Sequence, residues 1–63
     1  MNPIKQWREK NGKSYDEMAG MLDMSPMNVR RLAKLSNESL VRTPLTTAEK
    51  ILKELGIDLR DLI

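Results

Sequence analysis

Apolar residues recur along this chain at helical spacing, and each apolar group is preceded by a residue that can start a helix. Asn2 followed by Pro3 suits an N-cap with proline at the first helical position. Ile4 and Trp7 then lie one turn apart, and Gly12 suits the left-handed residue that ends a helix, so a first helix is expected over 3–11. Ser14 with Glu17 has capping-box spacing and precedes Met18, Ala19 and Leu22. Asp23 interrupts the pattern and Ser25-Pro26 restarts it; Val29, Leu32 and Leu35 then repeat every third residue and face inward. Residues 36–45 lack periodicity and read as a loop. Thr46 and Glu49 form a further capping-box pair, with Ala48, Ile51, Leu52 and Leu55 as the buried face of a fourth helix that Gly56 ends. Asp58 would cap a last short helix over 58–62, although the alternation Ile57, Asp58, Leu59, Arg60 also suits a strand. The expected fold is all-α, a single compact domain of four to five helices over 1–63.

The chain has 63 residues, 40% hydrophobic and 32% charged, which is enough apolar content to fold but allows only a small core. Cysteine and histidine are both absent. Disulfides, thiolate zinc sites and the commonest general base are therefore excluded, and no cofactor or metal site is expected. No apolar run is long enough for a membrane span or signal peptide, so the expected location is cytoplasmic, associated with the nucleoid. The net charge of +2 says less than its distribution. Basic and acidic residues cancel over 1–23. Over 24–42, Arg30, Arg31, Lys34 and Arg42 face only Glu38, and over 43–63 the balance is slightly acidic.

Two helices joined by a short turn, the second exposing Asn28, Arg30, Arg31 and Lys34, describe a helix-turn-helix over about 14–35. Ala19 is small enough for a close helix crossing, and Asp23 tolerates a left-handed turn. With these residues in place the chain resembles the lambda-repressor-like family, which includes the phage Cro proteins and small XRE-type regulators. Ile4 to Arg8 looks like the family's first helix, Ser14-Tyr-Asp-Glu-Met-Ala19 like its second, and Ser25-Pro-Met-Asn-Val-Arg-Arg-Leu32 like its recognition helix; Ile51 to Leu62 looks like the last two. Three positions depart from the family pattern. Asp23 stands for the usual turn glycine, Tyr15 for a glutamine that contacts phosphate in many members, and the segment from Ser36 to Leu45 is longer than usual.

The resemblance implies a sequence-specific regulator that inserts its third helix into the major groove of double-stranded DNA, at a palindromic operator of a phage or mobile element. Met27, Asn28 and Arg31 are then the base readers. Asn can pair with adenine, Arg with guanine, and Met can pack on a thymine methyl. Ser14, Tyr15, Ser25, Arg30, Lys34, Arg42 and Thr43 are the phosphate contacts, which fix register and make affinity fall with salt. Each has a plainer alternative: a solvated helix face for the basic residues, support of the helix start for Asn28, and cover for the core edge for Tyr15. Trp7 is read as core.

No catalytic constellation is visible, because the carboxylates and hydroxyls are scattered, and neither enzyme activity nor a small-molecule substrate is expected. The competing function is a protein-interaction module of the same fold, binding another regulator in the manner of an antirepressor or antitoxin. Met21, Met24 and Met27 would supply its adaptable contact surface. Leu59, Leu62 and Ile63 either close the monomer core or form the seam of a homodimer, one that could form only on DNA. The chain stops where a full phage repressor would continue into an oligomerisation domain, which makes a short Cro-like regulator the nearer comparison.

Overall fold

Most helix starts in the structure coincide with an oxygen-bearing side chain supplied by the local sequence. In this computed structural model, which describes residues 2–62, the elements are α1 (Pro3–Asn11), α2 (Tyr15–Leu22), α3 (Pro26–Leu32), α4 (Asn37–Leu40), α5 (Leu45–Leu55) and a closing 3₁₀ turn (Leu59–Leu62). The fold is all-α. The Asn2 carboxamide oxygen accepts from the backbone N–H of Ile4 at 2.8 Å and of Lys5 at 3.0 Å. Ser14 and Glu17 form the reciprocal capping box at 3.0 and 2.9 Å, and Ser25 accepts from the Asn28 N–H at 3.2 Å. Gly12 ends α1 in the left-handed region at φ 61°.

Asp23 ends α2 in that same region, at φ 53°, and is the only non-glycine described residue with positive φ. Its N–H and that of Met24 both return to the Ala19 carbonyl, closing the turn that carries the chain into α3. Ala19, 4% exposed, lets α2 approach α3 closely. Ile4, Met18, Leu22, Val29, Leu32, Leu40, Ile51 and Leu59 are all but fully buried in one core, with Trp7 and Leu35 half-buried against it. No polar or charged residue is buried among those described.

One bridge spans the fold. The Asn2 amide nitrogen donates to the carbonyls of both Leu32 and Leu35 at 2.8 Å, so the side chain that caps the start of α1 also satisfies carbonyls at and beyond the end of α3. This explains why α3 stops at Leu32 instead of reaching residue 35. The following N–H groups turn inward onto residues three back, Lys34 to Arg31 and Leu35 to Leu32, which tightens the chain where Asn2 holds it.

Four further expectations are corrected. The segment 36–45 is not a plain loop: Ser36 accepts from the Ser39 N–H at 3.3 Å and starts α4, whose Leu40 is anchored in the core. The Thr46/Glu49 capping box does not form, because α5 begins two residues earlier than a Thr46 cap would place it, directly after Pro44, with no side-chain cap. Leu52 is 47% exposed, since the inward stripe of α5 runs through Ala48, Ile51 and Leu55 and places Leu52 to one side. The last segment is neither α-helix nor strand but a 3₁₀ turn, with Asp58 accepting from the Arg60 N–H at 3.0 Å. This turn packs on α4 and α5, burying Leu59 to 1% exposure and leaving Leu62 half-buried against the core. Leu59 therefore closes the monomer core and is not free for a dimer seam, Leu62 keeps part of its surface exposed, and Ile63 lies outside the described residues.

The Asn2 bridge predicts that Asn2→Ser, which keeps a cap oxygen but lacks the amide, loses about 1–3 kcal/mol of stability, and that Asn2→Ala loses roughly 1 kcal/mol more. Urea unfolding measures both, and equal stabilities for the two variants would contradict the division of roles. Asp23→Gly should raise stability by about 0.5–1 kcal/mol in the same assay by relieving the left-handed strain. The Lys50–Asp23 ion pair that it removes, at 3.9 Å with the Asp23 side chain 97% exposed, contributes little.

Candidate nucleic-acid interface

α3 turns only Val29 and Leu32 into the core, at 0% and 2% exposure. Its other side chains stand outward. At about 100° per residue, Met27 and Arg31 lie nearly in line, Asn28 flanks them on one side and Arg30 on the other. Met27 is 80% exposed, and Asn28, Arg30 and Arg31 are exposed as well. The three candidate base readers thus share one continuous outer face.

On the Asn28 flank, Asn28 and Arg31 form one wall of a groove of about 320 Å³ whose other side is built by Ser39, Arg42, Thr43, Pro44 and Thr47. α4, the turn that follows it and the uncapped start of α5 carry these residues there. Two guanidinium groups line the groove and no carboxylate does, so its local field favours an anion. The Thr43 hydroxyl oxygen is enclosed and has no hydrogen-bond partner.

On the Arg30 flank, two guanidinium groups lie over the half-buried Tyr15 ring. Arg8 sits 4.5 Å and Arg30 5.3 Å from its centroid. Arg8 is itself tied by a 3.1 Å bond from its Nη1 to the Lys13 carbonyl. The stack links α1, α2 and α3 and sets Arg30 beside the start of α2, where Ser14 also lies. The Ser14 and Ser25 oxygens both serve as helix caps. Glu17 is held below the usual carboxylate range by the Ser14 backbone N–H, then by the Ser14 hydroxyl, with Lys13 adding to the effect. The contribution of this cap is therefore complete above the ordinary carboxylate range and is lost as pH falls through the lowered value.

Lys34 does not join the Arg31–Arg42 groove. It lines a separate depression between α1 and the α3–α4 turn, where Lys5 and Lys34 are balanced by Glu9 and Glu38. Of the methionines, Met18 is buried, Met24 half-buried, and Met21 and Met27 exposed. Sequence reasoning missed Arg8, Ser39 and Thr47. Arg8 carried no signal beyond being a basic residue in a helix's last turn, and the other two follow from the α4 and α5 starts that differ from expectation. Among the described residues no group of acidic side chains converges into a metal-binding cluster, and no helix is long and apolar enough to cross a membrane. No protein-family model matches the chain, and comparisons with curated proteins and with solved structures find no match.

An enclosed hydroxyl without a partner costs about 1–3 kcal/mol. Thr43→Val, which removes it at nearly constant shape, should raise the melting temperature by several degrees; an unchanged or lowered value would show that the hydroxyl is satisfied in solution.

Proposed function

We propose that this chain is a sequence-specific double-stranded DNA-binding regulator, a Cro-like repressor of the lambda-repressor-like family that acts in the cytoplasm by occupying an operator. The observation that carries this reading is the convergence of Asn28, Arg31 and Arg42 on one carboxylate-free groove beside the exposed face of α3. In this reading α3 enters the major groove, with Met27, Asn28 and Arg31 reaching base edges. Arg42 on one side, and Arg30 with Ser14, Tyr15 and Ser25 on the other, meet the two phosphate strands that border it, whereas the enclosed Thr43 hydroxyl is not free to reach a phosphate. Lys34, set apart in its own depression, adds only diffuse attraction. Occupancy of the site is itself the regulatory act, without catalysis or cofactor.

A second reading draws on the 80% exposure of Met27, an adaptable apolar side chain at the centre of the outer face. The same surface would then hold another regulatory protein, as an antirepressor or antitoxin does.

An electrophoretic shift against a duplex library, run at two salt concentrations, separates the two readings. DNA reading predicts selection of a short palindrome whose binding weakens steeply with salt. Arg31→Ala should reduce affinity for the selected site by about 5- to 150-fold and relax the preference at one position. Arg42→Ala should weaken binding to all sequences alike and lower the salt slope by about one. Failure of the folded protein to retain any duplex at low salt would sink the proposal and favour the protein-partner reading.

A further inference from the structure

Arg8 is a cation without an acidic partner. It stands half-buried in the last turn of α1, and among the described residues no carboxylate pairs with it. Its Nε is enclosed and makes no hydrogen bond, while its Nη1 donates to the Lys13 carbonyl at 3.1 Å. Beyond that carbonyl, the guanidinium has only the Tyr15 ring, with its centroid 4.5 Å away. An enclosed N–H without a partner and a half-enclosed unpaired charge both oppose folding. Support of the fold does not account for such a residue, because an apolar side chain of similar length would fill the same place without either cost.

The second cation on that ring supplies a reason. Arg30 lies 5.3 Å from the same centroid, is exposed, and likewise has no carboxylate partner among the described residues. A long exposed side chain samples many rotamers, and one already held on a ring has less freedom to lose when it meets a ligand. The ring can hold Arg30 only if the ring itself is held. Tyr15 packs against the core, and Arg8, anchored on the Lys13 carbonyl, restrains it further.

The geometry points to Arg8 as a positioning residue: it fixes the Tyr15 ring, and the ring holds Arg30 where the DNA-binding reading has it meet a phosphate. The functional consequence rests on that reading, and Arg8 itself makes no contact with DNA. Because Arg8 acts through its neighbours, its loss costs affinity only while Tyr15 and Arg30 are both present.

Two sets of measurements on the full chain test this. In the free protein, NMR reads the shielding that the Tyr15 ring imposes on the δ-methylene protons of Arg30. The expected upfield displacement is kept by Tyr15→Phe, abolished by Tyr15→Leu and reduced by Arg8→Met. In electrophoretic shifts with the selected duplex, Arg8→Met should weaken binding by about 2- to 5-fold with the salt slope unchanged. In an Arg30→Ala background the same change should cost nothing further. Thermal unfolding of Arg8→Met should occur at the same temperature as the unaltered chain or higher; a clearly lowered value would assign Arg8 to the fold and overturn the inference. Arg30 shifts indifferent to Arg8→Met overturn it as well, whether or not DNA binds. So does a salt slope lowered by about one, or an undiminished loss in the Arg30→Ala background, since either would make Arg8 a phosphate contact in its own right. Failure to bind any duplex strikes the DNA reading alone, because the coupling of Arg8 to Arg30 is decided in the free protein.

Discussion

The side chain of Asn2 joins the two ends of the chain segment on which the exposed face depends. Its oxygen accepts the first free N–H groups of α1, and its nitrogen donates to Leu32 and Leu35, more than thirty positions away for the second of these. Carbonyls at a helix end must find donors in protein or water. Here they find one that also belongs to another helix's start, so the place where α3 stops and the place where α1 begins are a single geometric fact. At its other end α3 is set by the Asp23 turn and the Ser25 cap. A seven-residue helix is too short to hold itself together in water, and its shape comes from these end restraints and from the burial of Val29 and Leu32.

Around that helix the charges are sorted. Arg31 and Arg42 share a groove that no carboxylate enters, Arg30 and Arg8 stack on Tyr15, and the cations near Lys34 are balanced by Glu9 and Glu38. Because a guanidinium is weakly hydrated and planar, it can lie on an aromatic ring without losing its charge to the surroundings. Tyr15 thus contributes through its ring face and draws Arg30 toward the start of α2.

Local chemistry was legible in the first half of the chain and failed at the Thr46/Glu49 pair, and remote chemistry was not legible. The Asn2 cap, the Ser14–Glu17 box, the Ser25–Pro26 start and the left-handed Asp23 each depend on residues within a few positions, and each is present in the structure. The second half of Asn2's role joins residues 30 and 33 apart and leaves no local pattern. α4 has four residues, too few to display a period, and only Ser36 before it and Leu40 at its end hint at a helix. Leu59 could not be assigned to core or surface because the answer rests on how a 3₁₀ turn folds back over α4 and α5. For the candidate interface, the α3 residues could be grouped by helical angle, whereas the meeting of Arg31 with Arg42 required the path of α4 to be known.

The division of α3 between two buried residues and an outer face that is mostly free of intramolecular bonds bears on how such a chain can diverge. Val29 and Leu32 answer to folding, while Met27 and Arg31, and the side chain of Asn28, answer to whatever meets them from outside. Substitutions at these three positions can accumulate under selection for a new partner while the selection that preserves folding acts elsewhere. Arg30 is the exception, since its stacking on Tyr15 ties it to α2 and makes those two positions candidates to change together.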